Sequence, residues 1–283
     1  MFDVVITGSG GFVGRALVTQ LSRDGLKVFA MDRSHGDVAD AKTWQSIPSA
    51  SALIHLAGQS YVPDSWKQGP DFVRSNVLGT EHALAWCRVH GAQMILASAY
   101  VYGIPEFLPL REDHPVNPNN PYAMSKFLSE QLCEFAASYQ NIKVTILRIF
   151  NIFGVGQREE FLIPSIVHQV RKSSEIHVQD LKPRRDYVFL DDVVSAISLA
   201  LRVQTGFSRI NIGSGVSYSV KEIIDIIQSE AEMNLPIFSK SVERIQEIPD
   251  VKADIEMAQQ ILRWSPKWTF RDGIRQIIKG ACI

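Results

Sequence analysis

Short apolar runs alternate with stretches of helical apolar spacing along the first half of the chain. Runs rich in β-branched and other apolar residues predict buried strands at 3–7, 27–32, 52–58, 92–98 and 143–151. Helical periodicity fills three of the intervals, at 15–25, 70–90 and 122–139. Buried strands that alternate with helices are typical of a parallel, doubly wound sheet, which binds ligands beyond the carboxyl ends of its strands.

The pattern loosens in the second half of the chain. Strand-like segments at 175–179 and 208–213 mix with helical stretches at 161–172, 190–203 and 219–232, with no linker or repeat between the halves. We therefore predict an α/β fold with a Rossmann-like dinucleotide-binding domain at 1–160, to which residues near 186–213 return. The remaining residues, mainly 161–283, would form a smaller C-terminal substrate-binding lobe.

The overall charge argues against two classes of partner. The formal net charge of −1 gives no general attraction to nucleic acid or to an anionic membrane, although "KPRR" at 182–185 is locally basic. No apolar run approaches the ~20 residues that span a bilayer, and the sequence opens without the basic region of a signal peptide. The three cysteines and seven histidines have no metal-site spacing. A cytoplasmic protein without a bound metal is expected.

A glycine-rich stretch, "TGSGGFVG" at 7–14, directly follows the first predicted strand and opens a helix. Glycines at such a turn let backbone amides approach a pyrophosphate, and the helix dipole favours the negative charge. The spacing is G-x-x-G-x-x-G through Gly8, Gly11 and Gly14, because Val13 stands where the usual G-x-G-x-x-G has its last glycine. The stretch predicts a phosphate-binding loop; an ordinary glycine-rich turn is the alternative.

Acidic residues near the end of the second predicted strand bear on the cofactor. Asp32 can accept hydrogen bonds from both hydroxyls of an adenosine ribose and would repel a 2′-phosphate, which favours NAD(H). Arg33 could pair with that phosphate, so NADP(H) stays open. Asp37 is placed to meet the adenine or to lie in a solvated loop.

The stretches "SAYVYG" at 98–103 and "NPYAMSK" at 120–126 combine a serine with a Tyr-x-x-x-Lys pair. Residues four apart share a helix face, so the lysine ammonium is expected to lower the pKa of the tyrosine. Such a tyrosine can protonate a carbonyl oxygen as hydride arrives, and a nearby serine hydroxyl can hydrogen-bond the same oxygen. A Tyr-x-x-x-Lys pair alone often arises by chance, so the ordered set of motifs carries the interpretation.

The ordered motifs resemble the extended short-chain dehydrogenase/reductase superfamily, in its nucleotide-sugar epimerase/dehydratase/reductase branch. The resemblance also runs through "HLAG" (55–58), "SNVLGT" (75–80), "LRIFNIFGVGQ" (147–157), "RRDYVFLDDV" (184–193), "NIGSG" (211–215) and "LRWSPKWTFRDGI" (262–274). It implies Ser98, Tyr122 and Lys126 as the catalytic set. The implied cofactor-binding residues are Gly8, Gly11, Phe12, Val13, Gly14, Asp32, Arg33, Asp37, Val38, Leu56, Ala57, Gly58, Asn76, Tyr122 and Lys126.

The branch contains several reactions, and one pair of positions discriminates among them. Family 4,6-dehydratases carry an Asp-Glu pair after the strand-end hydroxyl, where this chain has Ala99 and Tyr100, so a dehydratase is not expected. The favoured function is reduction of a 4-keto-6-deoxyhexose on a nucleotide, because "SYVPDSW" (60–66) and "RIQEIPDVKAD" (244–254) look most like GDP-6-deoxy-4-keto-hexose reductases. An NDP-hexose 4-epimerase with tightly bound NAD is the alternative. Two further alternatives are a non-catalytic protein that senses a dinucleotide and a reductase that acts on a non-nucleotide ketone.

The resemblance also implies the substrate contacts and the oligomeric state. The implied substrate-binding residues are Ser98, Ala99, Tyr100, Asn151, Arg185 and Arg244, the two arginines holding the pyrophosphate. Salt bridges of Arg185 with Asp186 or Asp192 are the structural alternative. Helices near 70–90 and 121–139 carry more apolar residues than one buried face needs, which predicts a homodimer.

Overall fold

A computed structural model of the chain describes residues 2–240 and 247–280. Its strands are β1 (Phe2–Thr7), β2 (Val28–Met31), β3 (Ala50–His55), β4 (Gln93–Ala99), β5 (Val144–Ile149), β6 (Asn151–Phe153), β7 (Ile176–Val178), β8 (Arg184–Phe189), β9 (Phe207–Ile212), β10 (Ser217–Ser219) and β11 (Ile237–Ser239). Its α-helices are α1 (Phe12–Arg23), α2 (Ala41–Trp44), α3 (Val62–Ser65), α4 (Gly69–Phe72), α5 (Gly79–His90), α6 (Pro121–Tyr139), α7 (Leu162–Lys172), α8 (Leu190–Ala200), α9 (Val220–Glu230) and α10 (Phe270–Gly280). Val73–Leu78 and Ala258–Leu262 are π-helical.

The central sheet has the strand order β2-β1-β3-β4-β5-β9, with every pairing parallel. Helices α1 and α8 cover one face, where they pack on Ile54 and Ile95, and α5 and α6 cover the other, where they pack on Leu53 and Leu96. Strand β2 lies on one side of β1, and the chain then crosses over to place β3 on the other side. The doubly wound parallel fold is therefore confirmed, with its topological switch point beside β1.

One predicted helix is interrupted. The segment predicted as a single helix at 70–90 consists of α4, the π-helical Val73–Leu78 and α5. A π-turn inserts an extra residue and re-aims the side chains within it. Here the turn carries Asn76, which is 2% exposed and points into the protein.

The second half builds a smaller layered lobe and also completes the central sheet. Strand β8 pairs with β6 in parallel and with β10 in antiparallel orientation, while β11 pairs with β7. An aromatic core holds this lobe together through Phe153, Phe189 and Phe270. Helix α8 then returns to pack against α1, and β9 adds to the central sheet beside β5. Strand β8 was not predicted, because the charged start of "RRDYVF" obscures its buried end.

Candidate active site

The glycine-rich loop forms a tight turn between β1 and α1. Gly8 has φ +70°, a left-handed conformation that favours glycine, and its carbonyl accepts a hydrogen bond from Gly11 N–H at 2.9 Å. A Cβ on Gly14 would lie 2.2 Å from Gly8 O, so the turn has no room for a side chain there. Helix α1 begins after Gly11 without a side-chain cap, which leaves amide donors at its N-terminus. Phe12 and Val13 are partly buried and pack against the hydrophobic core.

The predicted ribose acid lies at the end of β2 and is held by its neighbours. Asp32 Oδ1 accepts hydrogen bonds from Ser34 N–H at 3.0 Å and from Ser34 Oγ at 2.6 Å, and it lies 3.0 Å from His35 Nδ1. The hydrogen bonds of Ser34, then that of His35, lower the pKa of Asp32. All three contacts go to Oδ1, and the side chain of Asp32 is 46% exposed. Arg33 is exposed at the same turn.

Asp37, the residue predicted to contact the adenine, forms a hydrogen bond and an ion pair within the protein. Asp37 accepts from Ala39 N–H at 2.9 Å and forms an ion pair with Arg74 at 3.0 Å, contacts that lower the pKa of its carboxyl. The neighbouring Val38 lies against Gly79 at the start of α5. The loop after β2 is therefore tied to the helix that covers the sheet.

The loop after β3 meets Asn76 and the predicted catalytic helix. Leu56 N–H donates to the Thr7 carbonyl at 3.3 Å and Ala57 N–H to the Thr7 hydroxyl at 3.2 Å, so this loop lies beside the glycine-rich loop. A Cβ on Gly58 would lie 2.5 Å from Asn76 Oδ1. Asn76 accepts from Gln59 N–H at 2.8 Å and donates to Ser125 Oγ at 2.8 Å. Its buried amide thus joins the β3 loop to α6.

Tyr122 and Lys126 lie on one face of α6, near its N-terminus. Asn120 caps this helix by accepting from Ala123 N–H at 2.9 Å, and Pro121 occupies its first position. Lys126 is 8% exposed and donates from Nζ to the Ala97 carbonyl of β4 at 2.7 Å. Burial lowers the pKa of Lys126 to about 8, against the opposing charge of Glu130.

The expected lowering of the Tyr122 pKa is wrong for the protein alone. Burial raises the pKa of this phenol above its usual value. Its ring packs edge-on against Phe72, with the centroids 6.2 Å apart, so an apolar neighbour rather than a cation forms its wall. Tyr122 is therefore a protonated phenol at neutral pH.

Ser98 lies on β4 within a buried polar cluster. Its hydroxyl donates to Glu130 Oε1 at 2.6 Å, and Glu130 forms a bidentate ion pair with Arg148, with Nη2 to Oε2 at 2.7 Å. The guanidinium of Arg148 lies 4.7 Å from the ring centre of Tyr102. In the described residues no hydrogen bond joins Ser98 to Tyr122.

The two positions that follow Ser98 have no acid or base. Ala99 is 8% exposed. Tyr100 donates its hydroxyl to the Gly103 carbonyl, and its ring packs against Tyr102 and Phe150 at 5.6 and 5.8 Å. Burial raises the pKa of Tyr100. These two positions therefore contribute a small apolar side chain and a hydrogen-bonded aromatic ring.

The predicted substrate residues of the second lobe are partly engaged with protein groups. Arg185 donates from Nη1 to the carbonyls of Arg184 at 2.7 Å and Ile248 at 2.6 Å, and from Nη2 to Glu247. Its carboxylate partner is therefore Glu247 rather than Asp186 or Asp192. Asn151 donates to the Asp186 carbonyl at 3.1 Å. Arg244 lies outside the described residues.

Asp186 organises the loop beside these residues. Its fully buried carboxylate accepts from Ser214 N–H and Oγ, both at 2.7 Å, from Gly215 N–H at 2.9 Å and from Ala253 N–H at 3.0 Å. Burial raises the pKa of this carboxyl, while the four donors oppose the shift. The carboxylate ties the loop after β9 to the segment leading to the C-terminus.

Residues 2–240 and 247–280 lack two kinds of feature. Within them no group of three or more His, Cys, Asp or Glu side chains is arranged to hold a metal ion. Across the same residues, no helix combines the length and the apolar character that crossing a bilayer requires.

The sequence profile of the NAD dependent epimerase/dehydratase family matches residues 4–213. The chain belongs to this family. The resemblance to extended short-chain dehydrogenase/reductases is thereby confirmed, as is a nicotinamide dinucleotide as the family cofactor. The glycine turn, the uncapped start of α1 and the exposed carboxylate of Asp32 suit such a cofactor.

Relatives of this chain include enzymes that are named for different reactions. The chain is 28% identical to a GDP-6-deoxy-D-mannose reductase of Pseudomonas aeruginosa, across 96% of this chain and 95% of the relative. It is also 28% identical to a UDP-glucose 4-epimerase of Lactobacillus helveticus, across 93% and 92%.

Solved structures similar to this chain also differ in the ligands and cofactors that they contain. MoeE5 in complex with UDP-glucose and NAD has a TM-score of 0.92 at 29% identity, covering 99% of this chain and 98% of that one. RMD from Pseudomonas aeruginosa with NADPH has a TM-score of 0.91 at 27% identity, with the same coverage. The comparisons thus place the chain among NAD(P)-dependent nucleotide-sugar reductases, epimerases and dehydratases.

Two structural features of the site were missed from the sequence. Glu130 follows Lys126 by four residues on the same helix face, and that spacing in a mostly apolar helix is the signal that could have identified it. Arg148 lies inside the fully buried β5, and a charge in such a strand calls for a buried partner.

Proposed function

We propose that the chain reduces a 4-keto-6-deoxyhexose carried on a nucleoside diphosphate, with Tyr122 as the general acid. The observation that carries the proposal is the placement of a protonated phenol, Tyr122, on the same face of α6 as Lys126, whose Nζ is held by the Ala97 carbonyl. Reduction of a ketone requires a proton donor at the carbonyl oxygen, and a protonated phenol is suited to that step.

Each residue of the proposed site has a distinct task. When bound, NAD(P)H supplies the hydride. Tyr122 donates its proton to the carbonyl oxygen of the sugar. Lys126 stabilises the phenolate left behind: with a pKa of about 8, roughly nine-tenths of its amines are charged at pH 7. Its Nζ is fixed in place by the Ala97 carbonyl. Ser98 hydrogen-bonds the same sugar oxygen.

The identity of the substrate rests on two further observations. Ala99 and Tyr100 provide no acid–base pair for an elimination, which disfavours dehydration. The similar reductase of Pseudomonas aeruginosa is named for a GDP-linked 6-deoxyhexose, and MoeE5 binds UDP-glucose. In the proposed complex the second lobe holds the diphosphate, with Asn151 and Arg185 beside it.

The test is oxidation of NADH or NADPH, followed at 340 nm, with GDP-4-keto-6-deoxy-mannose and its UDP and dTDP counterparts as substrates. Turnover by the wild type and a loss of ~10³-fold or more in Tyr122→Phe would support the proposal. Nucleotide binding by the variant, measured by calorimetry, should remain close to that of the wild type. Absence of cofactor oxidation with every ketone would refute the reductase.

An NDP-hexose 4-epimerase is the second candidate, favoured by the UDP-glucose 4-epimerases among the similar proteins. Such an enzyme retains its NAD and needs no added cofactor. Mass spectrometry of ligands released from the purified protein, together with interconversion of UDP-glucose and UDP-galactose, distinguishes it from the reductase.

We also propose a homodimer formed through α6. Its exposed apolar side chains Met124, Leu128, Phe135 and Tyr139 are 44%, 40%, 54% and 78% exposed and fall within about 60° around the helix axis. A stripe of this kind at the surface favours burial against a second copy. Light scattering should give a dimer mass for the wild type and for Ile104→Glu, an exposed apolar residue elsewhere, but a monomer mass for Phe135→Glu.

A further inference from the structure

The turn after β2 carries a histidine beside the carboxylate that is expected to meet the adenosine ribose. Asp32 ends the strand, Arg33 follows it on the surface, and His35 Nδ1 lies 3.0 Å from Asp32 Oδ1. The ring of His35 packs edge-on against Phe29, with the centroids 5.3 Å apart, and its side chain is 34% exposed. The imidazole is therefore held next to the group that discriminates NAD(H) from NADP(H).

Nδ1 of His35 has two competing partners. It lies 3.3 Å from the Asp32 N–H, which is a donor, and 3.0 Å from Asp32 Oδ1, which is an acceptor. The nitrogen can accept from the amide or donate to the carboxylate, but it cannot do both. Protonation of the imidazole removes the lone pair of Nδ1, so the protonated ring donates to Oδ1. The two side chains then form a neutral ion pair instead of carrying a net charge of −1.

The carboxylates of this turn keep their charge while a histidine titrates. The hydrogen bonds of Ser34, then that of His35, lower the pKa of Asp32. The Ala39 N–H, followed by Arg74, lowers the pKa of Asp37. Both carboxyl groups are therefore ionised throughout the range between pH 5 and 8, in which histidine side chains ordinarily change their charge.

Three arginines surround the same turn. Arg33 is part of it, Arg74 pairs with the nearby aspartate of the following loop, and Arg15 donates to the Gly10 carbonyl at 2.6 Å, where the glycine-rich loop lies against the end of β2. Guanidinium groups stay protonated at all these pH values. The charge of the turn between pH 5 and 8 is therefore governed by His35.

We propose that His35 makes the cofactor preference depend on pH, so that the site selects NAD(H) when the imidazole is neutral and also accepts NADP(H) when it is protonated. A neutral ring leaves Asp32 to repel the 2′-phosphate. The imidazolium offsets that carboxylate and leaves the charge of Arg33 to attract the phosphate. The ribose hydroxyls of NAD(H) are uncharged, so its affinity changes little. The role concerns the cofactor alone and applies to a reductase and to an epimerase alike.

The test measures the dissociation constants of NAD and NADP by calorimetry at pH 6 and pH 8, in the wild type and in His35→Gln. On acidification the ratio of the two constants should shift toward NADP by about fivefold more in the wild type than in the variant, the effect of one charge at a partly exposed site. The 2′-phosphate itself titrates near pH 6, and the glutamine variant measures that contribution because it retains the rest of the turn.

Two further variants separate the charge of His35 from other effects. His35→Lys carries a charge at both pH values and should keep the preference of the acidic wild type at pH 8. His177→Gln is the matched control, because His177 Nε2 lies 2.6 Å from Glu175 in the second lobe, and this variant should behave as the wild type does.

The same pH dependence in the wild type and in His35→Gln would overturn the proposal. So would a wild type that binds NADP no better, relative to NAD, at pH 6 than at pH 8. Because these measurements need no sugar substrate, their outcome is independent of the reductase assay. A ratio that shifts as expected, together with no reduction of any ketone, would reject the proposed function and support the role of His35.

Discussion

His55 makes the stability of the fold depend on pH in a predictable direction. Its side chain is 1% exposed, and burial, followed by the charge of Lys126, lowers its pKa from 6.5 to about 3. Nδ1 shares a hydrogen bond with Thr7 Oγ1 at 2.8 Å, and Nε2 has no hydrogen-bond partner in the described part of the chain. Between pH 6.5 and 3 the unfolded chain binds a proton that the folded protein does not, so the free energy of unfolding falls as the pH is lowered through this window.

The size of the effect follows from the two pKa values. Lowering the pH from 7.5 to 5.5 should cost about 1.4 kcal/mol through His55 alone, because only the unfolded state takes up the proton. Urea denaturation at both pH values, followed by tryptophan fluorescence, measures this change. With a slope near 3 kcal/mol per M, the midpoint should shift by about 0.5 M more in the wild type than in His55→Asn, which removes the titrating group.

A variant of the same pocket separates titration from packing. The Trp44 and His55 rings lie 6.4 Å apart, so Trp44→Phe should loosen the pocket while keeping the histidine, and its pH dependence should match that of the wild type. The reasoning would be refuted if His55→Asn retained the full pH dependence, since the proton uptake would then arise elsewhere.

Two further substitutions test the cofactor turn and the second lobe. Gly14→Ala places a Cβ 2.2 Å from Gly8 O and should lower the affinity for NAD(H) and NADP(H) at least tenfold, as measured by calorimetry. Gly69→Ala is the control: no atom lies within 4 Å of its Cβ, so this variant should bind the cofactor with normal affinity. Asp186→Asn replaces one accepting oxygen by a donor facing N–H groups, and should lower the free energy of unfolding by about 2–4 kcal/mol in urea denaturation. A loss below about 0.5 kcal/mol would show that those hydrogen bonds contribute little.

The local geometry of the proposed cofactor side could be predicted from sequence because local spacing encodes it. A glycine turn between a strand and a helix, an acid at the next strand end and a Tyr-x-x-x-Lys pair each depend on neighbours within a few residues. Gly14 shows this directly, since its tight contact with Gly8 O lies within one turn. The parallel sheet follows from equally local patterns of apolar runs.

Contacts between distant segments could not be predicted in the same way. Glu130 meets Ser98 across 32 residues, and Arg185 meets Glu247 across 62, so neither pairing leaves a trace in periodicity. The raised pKa of Tyr122 has the same origin, because burial beside Phe72 arises only when α4 packs against α6. Sequence spacing indicated which residue types face the site, but the packing of the folded chain determines their protonation.

The late return of β9 to the central sheet has a consequence during protein synthesis. Strand β5, at Val144–Ile149, is buried at every position, yet its partner β9 begins only at Phe207. At ordinary translation rates the intervening stretch of about 60 residues takes about 3–12 s to make. For that time the nascent chain carries an apolar strand with an unpaired edge, which is a template for aggregation. The ribosome-bound intermediate is therefore the stage at which chaperones would matter most for this protein.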